Sequence, residues 1–281
     1  PDGMSIFRFA PLALLLAAAP AIAGPGKGLT IDDMLAMQRV GEPAVSPDGK
    51  WVAFSVRDTD MAANKGRTDI WLAAVDGATV RRLTTDPASD TSPAWSPDGA
   101  YVYFSSTRGG SSQVWRIAVA GGEAEAVTKL PIDVNGFRLF PDGKRLLLAM
   151  DVWPETRTLA TSVAKDAVKS PSSAQAYDSL LFRHWDTWED GTRNHLFLLP
   201  EAPGAQPVDL MPALDADVPT MPFGGLEEVA VAPDGRTVVF TAKLVPGSEA
   251  AWSTASDLYA VPTDGSGQLR CLTDANPAWD T

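Results

Sequence analysis

Ser46-Pro47-Asp48-Gly49, Ser96-Pro97-Asp98-Gly99, Phe140-Pro141-Asp142-Gly143 and Ala232-Pro233-Asp234-Gly235 are four copies of one short turn, each set between two apolar runs. Proline presets φ at the first turn position, aspartate can bond its own backbone, and glycine accepts the positive φ that closes the bend. The turn prolines stand 50, 44 and 92 residues apart, so the underlying period lies in the 40s and one interval is stretched. That period is the mark of β-propeller blades, each a four-stranded antiparallel sheet.

The segments around each turn fit this reading. In the first repeat, strands are expected at residues 43–46, 51–56, 69–75 and 79–84; in the second, at 93–96, 101–105, 113–119 and 124–128. The third strand has its own signature, an aliphatic residue and then an aromatic one: Ile70-Trp71, Val114-Trp115, Leu196-Phe197 and Leu258-Tyr259. These aromatics are expected to pack between blades. The fourth strand also repeats, as Arg82-Leu83-Thr84, Ala126-Val127-Thr128 and Cys271-Leu272-Thr273. In the third repeat an insertion at about residues 151–194 separates the second and third strands. Its part at 155–168 is helix-compatible, 170–173 reads as loop, and 178–183 fits an added strand.

Outside the repeats, residues 1–3 read as a cloning or reading-frame remnant. Residues 4–23 run through Arg8, an apolar stretch and Ala21-Ile22-Ala23, the layout of a secretory signal peptide. About a dozen apolar residues fall short of the ~20 that span a bilayer, so an exported protein, periplasmic or secreted, is expected with no membrane segment once the signal is removed. Residues 24–41 form a linker with a short lid helix, in which Thr30 can cap and Asp32 and Asp33 sit in the first turn. Asn276-Pro277-Ala278-Trp279 echoes Ser92-Pro93-Ala94-Trp95. Residues 42–281 are therefore expected to be a partial all-β propeller, about four blades and the start of a fifth.

Composition narrows the function. A formal charge of -12 without a basic run argues against nucleic acid as a partner. One cysteine excludes an internal disulfide, and two histidines make a zinc cluster improbable, so no metal or other cofactor is expected. No Gly-x-Ser-x-Gly elbow and no phosphate loop occur, so no complete catalytic constellation is expected in this chain. His184 and His195 read as structural or recognition residues, and Cys271 as a buried inert thiol.

Strand parity supplies a positive clue. First-to-second and third-to-fourth turns share one end of each blade, whereas second-to-third loops and blade connectors share the other. The long segments 57–68, 151–194, 211–226 and 242–256 all fall at that second end, the candidate functional face. Glu42, Ser92, Gly136 and Glu228 each stand five residues before a turn proline, near the start of the innermost strand and so at the channel mouth. Glu227-Glu228 is suited to holding a cationic group there.

With these turns, the opening Leu29-Thr30-Ile31-Asp32-Asp33-Met34-Leu35, the stretch Arg183-His184-Trp185-Asp186-Thr187-Trp188, and Pro222-Phe223-Gly224-Gly225 before Glu227-Glu228, the chain resembles exported peptidases of the prolyl oligopeptidase family. The resemblance spans about residues 29–281 and points to the acylaminoacyl-peptidase and dipeptidyl-peptidase branch. It implies an N-terminal propeller that caps a C-terminal α/β-hydrolase domain bearing Ser, Asp and His, and that admits short peptides. No catalytic residue of the family falls on this chain. In dipeptidyl members propeller acids bind the substrate's free amino group, and Glu227 and Glu228 are the counterparts by position. Arg183, His184, Trp185 and Asp186 are further substrate-binding candidates. The rival reading is a non-enzymatic, TolB-like periplasmic interaction propeller, which shares the turn motif.

Overall fold

The computed structural model describes residues 28–168, 172–178, 180, 182–184, 186–245, 247–250, 252–276, 278 and 280. The expected leader at 4–23 lies outside them, as do Pro277 and Trp279 of the expected fifth-blade start. A first compact unit ends at Ala36, and residues 37–281 form a second. The first contains helix α1 (Ile31–Ala36). Thr30 Oγ1 accepts from the Asp33 amide at 3.1 Å while Asp33 Oδ2 accepts from the Thr30 amide at 3.0 Å, a reciprocal cap.

Four four-stranded antiparallel sheets make up the second unit, and the all-β, bladed architecture expected from the repeats is the one observed. Blade 1 holds β1 (Arg39–Val45), β2 (Trp51–Asp60), β3 (Lys65–Ala74) and β4 (Val80–Arg82). Blade 2 holds β5 (Asp90–Trp95), β6 (Tyr101–Ser106), β7 (Gln113–Ala118) and β8 (Glu125–Ala126). Blade 3 holds β9 (Gly136–Leu139) and β10 (Arg145–Val152). Its insertion follows, with α2 (Leu159–Asp166) and the small hairpin β11 (Arg183–His184) and β12 (Thr187–Trp188); β13 (Arg193–Pro200) and β14 (Val208–Asp209) complete the sheet. Blade 4 holds β15 (Val229–Val231), β16 (Thr237–Ala242), β17 (Asp257–Pro262) and β18 (Arg270–Cys271), with the short helix α3 (Gly247–Ala250) in its second-to-third loop.

The four turns are built alike. The Gly amide closes each onto the residue before proline, Gly49 to Ser46, Gly99 to Ser96 and Gly143 to Phe140 at 2.9 Å, and Gly235 to Ala232 at 2.8 Å. Each aspartate accepts from the amide two residues on, at 2.9–3.1 Å. The turns also nest: a Cβ on Gly143, whose φ is +62°, would stand 3.2 Å from Pro97 of the preceding blade.

Three apolar cores lie between successive blades. Ala53, Ile70 and Leu72 meet Val102, Phe104 and Ile117 between blades 1 and 2. Tyr103 and Val114 meet Leu146, Leu148 and Phe197 between blades 2 and 3. Leu147, Leu196 and Leu198 meet Val238, Phe240 and Tyr259 between blades 3 and 4. Alternation along each strand sends one side chain forward and the next back, so each blade contributes to both neighbours. The fourth-strand threonines lock the start of the third strand: Thr84 Oγ1 accepts from the Ile70 amide, Thr128 Oγ1 from Val114 and Thr273 Oγ1 from Leu258, at 2.9–3.1 Å.

Several expectations need correction. Trp115, Phe197 and Tyr259 join the inter-blade cores, but Trp71 does not. It points away from Ile70 and Leu72, toward the side of blade 1 that no other blade covers among the described residues. Segment 57–68 is not a loop, because β2 and β3 stay in register out to Asp60 and Lys65 and form a projecting hairpin. Arg39 and Gly41, placed in the linker by the sequence, belong to β1, since their backbone pairs with Arg57 and Ser55. The added strand expected at 178–183 is instead the two-residue pairing of Arg183 with Trp188 and His184 with Thr187. Cys271 is half-buried rather than buried.

Candidate functional site

Apart from the blade 1 hairpin, the loop end of the blades is dominated by three segments from blades 3 and 4: the insertion, the connector at 210–228, and the loop at 243–256. The first strands of neighbouring blades are tied together at this end. Glu42 Oε2 accepts from the Ser92 amide at 2.8 Å, and the Arg138 guanidinium donates to the Leu226 carbonyl at 3.1 Å. Gly136 allows this close approach, because a Cβ there would stand 2.9 Å from Leu226 Cδ1.

The sequence-predicted residues divide by surroundings. Glu227 and Glu228 sit on the 3₁₀ turn Leu226–Glu228 that leads into β15. Glu228 is committed: its carboxylate accepts from the Thr220 amide at 2.9 Å and from Thr220 Oγ1 at 2.8 Å. Gly224 makes this possible, since a Cβ there would collide with both Thr220 and the Glu228 carboxylate. Glu227 is exposed. The acidic pair is thus one brace and one free carboxylate, a distinction invisible in two adjacent identical letters.

In the insertion, Arg183 and Asp186 are exposed. The Arg183 guanidinium lies 5.5 Å from the Trp188 ring centroid, and Trp188 stacks with Tyr177 at 5.9 Å and Phe182 at 6.2 Å. His184 contributes its backbone to the hairpin, and Trp185 lies outside the described residues. His195 is fully buried, with Nδ1 2.9 Å from Asp209 Oδ2 and Nε2 2.8 Å from the Leu214 carbonyl. Both ring nitrogens are occupied, so His195 anchors the connector and has none left for proton transfer.

Sequence reasoning missed a group at the loop end of blade 3. Asp151 and Asn194 are direct cross-strand partners on β10 and β13, and share a sheet face with Ala149 and Leu196 of the blade 3–4 core. The connector returns to them: Val218 donates to the Asn194 carbonyl at 2.7 Å, and Asp217 Oδ1 accepts from the Asn194 amide at 2.8 Å. Burial raises the Asp217 pKa to about 6; the Asn194 amide and Arg193 work against the rise, and Glu189 and Asp151 add to it. Burial also raises Asp151; a hydrogen bond from Asn135 opposes this, whereas Asp190 and Asp133 reinforce it. Arg193 donates to Asp215 at 2.9 Å and to Glu189 at 3.1 Å. Burial disfavours its charge, yet Asp217, Asp215 and Glu189 hold its pKa above the ordinary value. The legible signal was an aspartate continuing the apolar face of Leu147 and Ala149.

Among the described residues, no group of three or more His, Cys, Asp or Glu side chains is placed to hold a metal ion. No described helix is long and apolar enough to cross a membrane.

Antiparallel four-stranded blades with nested Pro-Asp-Gly turns and long loops at one end define a β-propeller module. The TolB beta propeller domain matches residues 35–177, half of the chain, and the chain belongs to that family. Dipeptidyl-peptidase 5 of Porphyromonas gingivalis is 28% identical over 258 residues, which cover 91% of this chain and 37% of that protein. Dipeptidyl-peptidase 5 of Arthroderma otae is 30% identical over 265 residues, 89% of this chain and 36% of that protein. The chain therefore spans little more than a third of the length of these relatives. Among solved structures, the Pyrococcus horikoshii acylaminoacyl peptidase aligns with a TM-score of 0.57 at 15% identity, over 85% of this chain and 33% of the other. TolB from Acinetobacter baumannii aligns with a TM-score of 0.50 at 21% identity, over 82% and 42%. The likeness to the propeller part of prolyl oligopeptidase-family peptidases holds, and the two solved structures carry the fold.

Proposed function

We propose that this chain is the N-terminal gating and substrate-binding propeller of an exported serine peptidase, with peptide hydrolysis performed by a C-terminal α/β-hydrolase domain of the same parent chain. The observation that carries the reading is the gathering of the insertion, the connector and an acid-rich group at one end of blades 3 and 4. That end offers exposed aromatics for side chains and carboxylates for a peptide's amine. The dipeptidyl-peptidase relatives support the same assignment. Glu227 is the free rim carboxylate that meets the incoming amino terminus, and Glu228 holds the connector in place beneath it. Arg183, His184, Trp185 and Asp186 flank the path on the insertion. The leader at 4–23 directs export.

The test is turnover in the full-length parent. Replacing Glu227 by Gln should lower hydrolysis of dipeptide substrates with free amines far more than of N-acylated ones, because a charge-assisted hydrogen bond to an ammonium contributes about 1.5–3 kcal/mol. Equal losses for both classes would move the anchoring role to Arg183–Asp186. A second reading, a non-enzymatic TolB-like interaction propeller, is favoured by the family match itself. A coding sequence that ends after its last blade, with no hydrolase domain, would decide for it.

A further inference from the structure

Blades arranged radially splay apart toward the rim, so the space between neighbouring sheets is widest beside their fourth strands. Between blades 2 and 3 that space is bounded on a further side, because the blade 3 insertion brings Leu159 and Ala160 of α2 to it. The result is a cavity of about 620 Å³, within the range of clefts that hold small molecules. Its walls are preformed. The Thr158 capping box fixes the start of α2, and Ser162 Oγ accepts from the Trp153 amide at 2.8 Å, which ties the helix to the end of β10. Leu146, Leu159 and Leu199, all buried in the blade 2–3 core, line the cavity, and the half-buried Val127 and Ala205 extend the apolar surface.

The polar side chains of the lining are spent on one another or on their neighbours, with one exception. Arg116 donates from Nε and Nη2 to Glu125 at 3.3 and 3.2 Å and from Nη1 to Glu201, whose carboxylate also accepts from Tyr103 Oη at 2.9 Å. Thr128 Oγ1 accepts from the Val114 amide at 2.9 Å and donates to Gln113 at 2.8 Å. Gln206 donates to the Gly204 carbonyl at 3.4 Å. Lys129 is exposed and takes part in neither ion pair of this wall, nor in any other among the described residues. Water finds few partners on such walls, so a hydrocarbon body displaces it favourably, and the one unpaired ammonium matches a single negative charge.

We infer that this cavity is a binding site for a medium-chain fatty acid, with the alkyl chain on the leucines and the carboxylate at Lys129. The inference goes beyond the proposed peptidase role: binding here needs no hydrolase domain, and no lining residue belongs to the Glu227–Glu228 rim or to the Arg183–Asp186 stretch.

Titration calorimetry on this chain tests it with three probes: octanoate, 1-octanol and acetate. Octanoate should bind, and acetate, which lacks the alkyl body, should not. Lys129→Gln alters an exposed side chain and should weaken octanoate about threefold to fivefold, as for an exposed ion pair, while leaving 1-octanol unaffected. High salt should likewise weaken octanoate alone. Ala205→Trp places an indole in the cavity and should abolish binding of octanoate; its circular dichroism reports whether the sheets are retained, and Lys129→Gln decides the matter if they are not. Absence of octanoate binding, octanoate affinity unchanged in Lys129→Gln, an equal fall for 1-octanol, or unchanged binding in folded Ala205→Trp would overturn the inference. Because the readout is binding between blades 2 and 3 of this chain, its failure is separable from loss of peptidase selectivity in the parent.

Discussion

The half-buried carboxyl of Asp217 makes a stability prediction with a definite sign. Its pKa rises from 3.8 to about 6, chiefly through burial. A shift of about two units at 1.36 kcal/mol per unit corresponds to about 3 kcal/mol, and partial exposure to solvent brings this to about 2 kcal/mol. Because the folded-state value lies above the unfolded one, the folded chain holds the proton more tightly. The stabilisation from protonated Asp217 is complete below about pH 4 and is lost as pH rises through about 6. Asp217→Asn mimics the protonated form and cannot ionise. Urea unfolding of parent and variant should therefore give similar stabilities at about pH 3.5, with the variant more stable by about 2 kcal/mol at about pH 7.5. The pH series also separates this effect from the general repulsion of a chain with net charge -12, which both proteins share. A difference that stays constant across the series would refute the reasoning, since it would mean that the carboxylate is solvated in the folded state.

Trp115→Ala should cost about 3 kcal/mol in urea unfolding, because its ring packs against the blade 1–2 core beneath Arg108, whereas Trp71→Ala at the uncovered face should cost about 1 kcal/mol. His195→Leu should destabilise the chain by about 3 kcal/mol or more by leaving Asp209 and the Leu214 carbonyl without their buried partner; unchanged stability would show that the connector holds itself. Thr220→Val removes a donor to Glu228 and should speed limited proteolysis within 218–225 without altering the sheets' circular dichroism signal. N-terminal sequencing of the exported protein should begin at or near Gly24, and a mature chain that retains Met4 would count against the leader.

The turns were legible because their chemistry is local. Proline, aspartate and glycine in sequence order contain the φ restriction, the side-chain acceptor and the positive φ, and all four copies close with the same hydrogen bonds. The period of those turns then fixed the strand count per blade and which loops share an end. Trp71 and Trp115 mark where local reading stops. They occupy equivalent third-strand positions, yet one lines a core and the other does not, because burial depends on whether a neighbouring sheet arrives at that face. Likewise, Glu227 and Glu228 are alike in sequence, and a fold-dependent approach of Thr220 across Gly224 sets them apart. Asp151, Asn194 and Asp217 lie too far apart in the chain for any motif to join them. The register that places Asp151 opposite Asn194, and the connector that returns through Val218 to the Asn194 carbonyl, bring them together. Backbone preferences act over a few residues and can be read from letters, whereas convergence of side chains from separate segments follows from sheet pairing and chain return, which only the tertiary structure decides.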